Sequence, residues 1–372
     1  MNIVRLEAAG AGKTYGICRQ ALDEVAKNNN NRVLMVTYTN RGAEAIKAEL
    51  ETQNKGILPA NVIVFTWYQF LLRELIKPYQ TYITDINTVV SLDFTLEHTR
   101  NYAATGTIQR YFTTSNNVRS EEASSLVLWL DEKSGHQVIT RLEKIYSSIY
   151  IDEVQDLAGR DINILEKLFQ SNINIVCVGD NKQATFQTHS TKTNKGKTGK
   201  NIFEFCYSLQ EKGIVQVQES LQSRRFNTQI CSFANRVYPN DKNMTSDMTE
   251  ETEHDGVFLI AKKDAPMYYE FFSPQELRYD KRTIDTCGYE VINFGECKGK
   301  TYERCLIHAN KTFVNFLKGE KLASPEKYYV AVTRAKYSNA IVVDKLLGAA
   351  GFEKCTIKLG DQEIQAERFV CA

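Results

Sequence analysis

The stretch AAGAGKT at residues 8–14 constrains this chain most, because it demands both a backbone shape and particular neighbours. Gly10 and Gly12 let the backbone curl so that its N–H groups converge on an anion. Lys13 brings a positive charge to outer phosphates, and the Thr14 hydroxyl is a ligand for Mg²⁺. An apolar run, NIVRLEA, precedes the loop and a helical pattern, TYGICRQALDEVAKN, follows it. That order aims a helix N-terminus at the bound anion. Gly10, Ala11, Gly12, Lys13 and Thr14 are therefore the expected phosphate cradle. Glu7 stands where the usual pattern has glycine, but it lies where the chain leaves the strand.

The pattern that follows fits such a loop. RVLMVTY, NVIVFT, YSSIYID and INIVCVGD read as strands, with helical spacing in NRGAEAIKAELETQ and RDINILEKLFQ. Alternating strands and helices predict a parallel sheet covered on both faces. A second strand series is read at 214–220, 256–261, 289–295, 304–309 and 339–344, with a boundary near 205–213. The expected organisation is a first domain over 1–208, with a helical insertion at about 73–143. A second domain covers 209–372 and carries a C-terminal extension. In that extension Gly-Asp separates two alternating runs, which reads as a hairpin.

A formal charge of +1 means that any nucleic-acid surface is local rather than global. The nine cysteines are odd in number, scattered and without a CxxC pair, which predicts reduced thiols and a cytoplasmic protein. The first strand starts within two residues, leaving no room here for a signal peptide. The most apolar stretch, at 62–72, is too short to cross a bilayer, so no membrane partner is expected.

IYIDEVQD ends an apolar strand in two adjacent carboxylates. Asp152 is suited to hold Mg²⁺ through its water shell, and Glu153 to orient and deprotonate an attacking water. The next strand also ends in polar residues, VGDNKQ, where Gln183 can reach a terminal phosphate. Three such strand ends on one sheet edge match the rule that α/β ligands bind at strand C-termini.

With these residues in place, the chain resembles the UvrD/Rep-type superfamily 1 DNA helicases, as a compact member lacking the large accessory domain. AAGAGKT looks like Walker A and YIDEVQD like Walker B. VTYTNRGAEAIKAEL is similar to motif Ia, VFTWYQF to the next DNA-facing motif, and VGDNKQATF to motif III. SRRFNTQICSFAN resembles motif IV, GECKGKTYERCLI motif V and YYVAVTRAK motif VI. The resemblance implies two RecA-like domains of the P-loop NTPase type, with ATP and Mg²⁺ held between them. It implies catalytic roles for Lys13, Asp152, Glu153, Gln183, Arg225 and Arg334, with both arginines reaching the γ-phosphate. It places Tyr38, Trp67, Tyr68, Phe186 and Lys298 on a track for single-stranded DNA, RNA not being distinguished. Translocation would run 3′ to 5′.

The sequence departs from the family in places. Thr301 stands where the family has a ribose-contacting glutamate, and Thr188 where many members place a second aromatic. Only 64 residues separate Arg225 from Glu290, too few for the second accessory domain. Residues 181–203 hold five lysines and no acid, so Lys192, Lys195 and Lys197 join the expected phosphate contacts. Two functions remain open. One is an ATP-driven single-stranded DNA translocase or helicase. The other is a nucleotide-controlled regulatory subunit, partnered by a nuclease or another protein in DNA repair or antiviral defence.

Overall fold

The computed structural model describes residues 2–83, 88–95, 103–185, 193–283, 286–288, 290–322 and 324–370. Contacts group the chain into two units. The first is Met1–Leu6, Lys13–Asn181 and Phe186–Glu219; the second is Glu7–Gly12, Lys182–Thr185 and Ser220–Ala372.

In the first unit, strands β1 (Asn2–Glu7), β2 (Val33–Thr37), β3 (Val62–Thr66), β4 (Ser148–Ile151), β5 (Asn174–Gly179) and β6 (Val215–Ser220) form one sheet. Their order is β3-β2-β4-β5-β1-β6. The pairs β1/β5, β4/β5, β2/β4 and β2/β3 are all parallel, so five carboxyl ends share one edge. Alternate residues serve opposite faces. Val33 and Met35 pack with helices α1 (Lys13–Lys27) and α2 (Asn40–Gln53) through Ile17, Ala21, Ile46 and Leu50. Leu34 and Val36 belong to the opposite layer. That layer includes α3 (Ala123–Lys133), α4 (Gln137–Ile145), α5 (Asp161–Phe169) and α6 (Ile202–Glu211). The unit is thus a sheet buried on both faces, as its near-continuous apolar strands require.

The region expected as a helical insertion is mixed. It contains α3 and α4, but also a short parallel pair, Leu92–Asp93 with Val118–Arg119. The run at 214–220 was expected to open the second strand series. It instead forms β6, beside β1, in the first sheet. The first unit accordingly runs on to Glu219, apart from Glu7–Gly12 and Lys182–Thr185, which group with the second. Strand propensity alone does not say which sheet a run joins.

The second unit holds β7 (Gly256–Ala261), β8 (Gln275–Arg278), β9 (Val291–Asn293), β10 (Tyr302–His308), β11 (Ala335–Val343), β12 (Phe352–Leu359) and β13 (Gln362–Phe369). Their order is β9-β8-β10-β11-β7-β13-β12. Five strands are mutually parallel, and the terminal hairpin joins β7 antiparallel. Gly360 and Asp361 form its two-residue turn, with Leu359 opposite Gln362 and Gly360 at φ 66°. On one face Val257, Leu259, Ile341 and Val343 pack with α7 (Thr228–Val237). On the other, Phe258, Ile260, Ala340 and Val342 pack with α8 (Ala265–Phe272). Both units have the RecA-like parallel-sheet architecture of P-loop NTPases.

All eight described cysteines are free thiols. Among the described residues no helix is long and apolar enough to cross a membrane.

Candidate nucleotide site

In the first unit, α1 begins at Lys13. One residue on, Thr14 Oγ1 donates to Asp152 Oδ2 at 3.0 Å. Asp152 follows β4, and its N–H donates to the Val36 carbonyl at 2.8 Å, which anchors it to the strand edge. The side chain is buried. Burial first, then the adjacent Glu153, pushes its carboxyl up to about 7, while Lys13 and the Thr14 hydroxyl pull it down. A hydroxyl and a carboxylate are hard oxygen donors, and the two adjacent carboxylates there outnumber the single positive charge of Lys13. That donor set fits Mg²⁺.

Glu153 adopts a left-handed backbone, φ 55°, uncommon for a residue with a side chain. Its N–H donates to Asp152 Oδ1 at 2.9 Å. Its carboxylate accepts from Gln155 Nε2. Gln155 is fully buried, and its Oε1 accepts the Asp180 N–H at 3.1 Å. One amide therefore ties the end of β4 to the end of β5 and fixes the Glu153 carboxylate. Gly179 leaves the space: a Cβ there would collide with Gln155 Oε1. Sequence reasoning passed over Gln155. Its signal was an amide set between acids, two residues past the strand-end glutamate.

In the second unit, the loop Glu7–Gly12 packs against the segment that carries Arg225. The Ala8 N–H donates to the Ser220 carbonyl and the Arg224 N–H to the Gly10 carbonyl, both at 2.9 Å. Gly10 has φ +78°, and a Cβ there would lie 2.5 Å from both Arg225 Cβ and Ser223 Oγ. Glycine is needed here twice over, for conformation and for space. Gly12, at φ +91°, needs it for conformation only. Arg225 is half-buried and donates from Nη1 to the Thr333 carbonyl at 3.2 Å. Arg224 is the more exposed of the two, 3.7 Å from Asp247.

Arg334 is among the largest fully buried side chains. Its Nε donates to the Val330 carbonyl at 2.9 Å and its Nη1 to the Lys300 carbonyl at 3.2 Å. Its Nη2 donates to Gln183 Oε1 at 3.2 Å and to Thr333 Oγ1 at 3.1 Å. Gln183, also buried, is thus engaged by the arginine that the sequence paired with it in phosphate chemistry.

Residues 139–343 of this 372-residue chain match the family model of the viral superfamily 1 RNA helicase core domain. The chain belongs to the superfamily 1 helicases. Residues 73–192 also match the UvrD/REP helicase N-terminal domain. No curated protein matches the chain. One similar solved structure is the arterivirus nonstructural protein 10 (helicase) complex with DNA. It is 12% identical with a TM-score of 0.46, and the match covers 91% of this chain. The chain spans 59% of that helicase's length.

In this helicase core the residues expected on a nucleic-acid track divide. Tyr68 stands between Tyr38, at 6.3 Å between ring centroids, and Phe94, at 5.0 Å. Phe94 is 58% exposed and was not anticipated from the sequence; its only signal was a phenylalanine flanked directly by Asp93 and Thr95 in LDFTLE. Trp67 is 1% exposed and packs on Phe70 at 5.5 Å, so it is a core residue and not a base-stacking surface. The sequence could not tell them apart, because a helix turns adjacent residues to different sides. Lys195 is exposed, whereas Lys197 is paired with Glu166 at 2.8 Å and lies over the Phe205 ring at 4.8 Å. Lys182, read with the basic loop, is buried, donating to the Lys242 carbonyl at 2.9 Å. Lys298 is half-buried in the turn after β9. Phe186 and Lys192 lie outside the described residues.

Proposed function

We propose that this helicase core hydrolyses ATP with Mg²⁺ and uses the cycle to move along single-stranded DNA, with 3′ to 5′ polarity. The observation that carries the reading is the Thr14–Asp152 hydrogen bond, with Lys13 and the fixed Glu153 carboxylate beside it. Thr14 and Asp152 would hold Mg²⁺, which supplies charge neutralisation at phosphate oxygens when bound. The loop N–H groups and Lys13 bind the phosphates. Glu153 accepts the proton of the attacking water, and Gln155 keeps its carboxylate aimed. Gln183, Arg225 and Arg334 act on the terminal phosphate, where such arginines supply rate factors on the order of 10³–10⁵. Tyr38, Tyr68 and Phe94 offer ring faces to bases, with Lys195 and Lys298 near phosphates.

The test is ATP hydrolysis by the purified chain, with and without single-stranded DNA, beside Lys13→Ala and Glu153→Gln. Strong stimulation by DNA, reduced roughly 10²–10⁴-fold in both folded variants, is the expected result. Hydrolysis indifferent to DNA would overturn the translocase reading.

A second reading is a nucleotide-controlled regulatory subunit of a nuclease-containing repair or phage-defence complex. The stretch between Arg225 and Glu290 favours it. Its main elements, α7, β7, α8 and β8, are parts of the unit's own sheet and covering layers, not of an inserted domain. Hydrolysis that requires a co-purifying protein would support this reading; a fully active monomer would count against it.

A further inference from the structure

Away from the nucleotide residues, the second unit buries a cluster of unlike ligand groups. Glu276 lies on β8 opposite Leu306 of the parallel neighbour β10. His308, two residues beyond Leu306, therefore presents to the same face. Cys287 comes from the segment between β8 and β9. His308 Nε2 stands 2.5 Å from Glu276 Oε1, and the Cys287 N–H donates to that same oxygen at 2.7 Å. The other carboxylate oxygen, Oε2, is buried without a hydrogen-bond partner, on a residue that is 0% exposed. One ligand atom from each of Glu276, Cys287 and His308 lies within 4.8 Å of the others. Leu306 and Cys287 belong to the apolar layer that also contains Val342 and Tyr268.

We propose that Glu276, Cys287 and His308 form a binding site for a divalent transition-metal ion, zinc first among them. A wholly buried carboxylate with one orphan oxygen is a costly arrangement. His308 and the Cys287 thiol, a weak donor, both help to hold the carboxylate charge, yet neither gives Oε2 a well-formed hydrogen bond. A cation held by carboxylate, imidazole and thiolate answers that need. The mixed S, N and O donor set selects zinc-like ions over Mg²⁺ or Ca²⁺, which take oxygen. Zinc–ligand bonds of about 2.0–2.3 Å place tetrahedral ligand atoms roughly 3.3–3.8 Å apart. Closing the cluster on a metal therefore needs movements of about 1 Å, within the range of side-chain rotation. Water fills the fourth position, and the cysteine proton is released on binding. The metal would brace the Cys287 segment against β8 and β10.

The test uses the full chain, stripped of metal. Zn²⁺ is titrated against a chromophoric chelator, and Co²⁺ is followed by its thiolate charge-transfer absorption. One equivalent should bind, with a cobalt–thiolate band that Cys287→Ser abolishes and Asp152→Asn leaves intact. His308→Gln and Glu276→Gln should weaken zinc by at least about tenfold. Zinc should raise the melting temperature of the wild type but not of Cys287→Ser. Cys287 is only half-buried, so its serine variant keeps the test decisive even if Glu276→Gln does not fold. No tight zinc, or a band and affinity unchanged in Cys287→Ser, would overturn the site.

Discussion

Asp152 and Arg334 are buried to nearly the same degree, 6% and 1% exposed, yet the protein treats their charges in opposite ways. Asp152 is crowded by Glu153, and its proton is held up to about 7. Arg334 has an acceptor for each of its three nitrogens, two of them backbone carbonyls. Burial of a charge is therefore not one condition but two. The acidic group is left short of a counter-charge, which an incoming cation can supply. The arginine is satisfied by the protein, and must exchange those acceptors for phosphate oxygens if it is to act.

The largest effect should come from Arg334. Arg334→Ala should slow ATP hydrolysis by on the order of 10³-fold or more. It should also destabilise the second unit, because the half-buried Lys300 carbonyl loses its donor while Val330 keeps the one from Thr333 Oγ1, a cost of roughly 1–3 kcal/mol in all. Arg334→Lys separates the two roles, since it keeps the charge but not the fork. A folded Arg334→Ala protein that hydrolyses ATP within a few-fold of wild type would make the arginine purely structural, and the contrast with Asp152 would become one of packing alone.

Trp67 and Tyr68 offer the same contrast in one motif. Trp67→Ala should cost about 3–5 kcal/mol of stability, by emptying a core position. Tyr68→Ala should cost less stability and instead weaken single-stranded DNA binding by roughly 1–3 kcal/mol. Denaturant unfolding and fluorescence anisotropy measure the two quantities. If Tyr68→Ala leaves DNA affinity unchanged, the aromatic row with Tyr38 and Phe94 is not a stacking surface.

A smaller effect is expected at the Glu153 support. Gly179→Ala should drive a methyl into Gln155 Oε1 and destabilise by about 1–3 kcal/mol. Gln155→Ala should remove the acceptor that Gln155 offers the Asp180 N–H and the donor it offers the Glu153 carboxylate. Its signature is kcat lowered with KM for ATP little changed. If both constants stay at wild-type values, Gln155 does not position the base.

Much of this was legible because sequence spacing and chemistry coincide at strand ends. A glycine loop before a helix, and carboxylates closing an apolar run, each carry their own structural context. The terminal hairpin was legible for the same reason, its Gly360–Asp361 turn being written locally. What sequence could not supply depends on partners far along the chain. The run at 214–220 reads as a strand, but its neighbour β1 lies some two hundred residues earlier. Gln155 matters because Asp180 and Gly179 surround it. Lys182 and Lys197 look like solvated basic residues until Tyr238, Glu166 and Phe205 are seen to engage them.

The pH dependence of stability probes the charge on Asp152 directly. An ordinary aspartate loses its proton near 3.8, whereas Asp152 in the folded chain keeps it up to about 7. Below the lower value both folded and unfolded chains hold the proton, and the buried neutral acid adds stability. Between the two values the unfolded chain ionises first, so that contribution shrinks as pH rises, and it is gone once pH passes about 7. Without Mg²⁺, the wild-type melting temperature should therefore fall relative to Asp152→Asn as pH is raised from about 5 to about 8. Mg²⁺ with nucleotide should flatten the difference, because the cation takes the place that the proton held. Parallel melting curves for the two proteins across that range would mean that Asp152 is as well compensated as Arg334, and that the acidic end of the site does not wait for a cation.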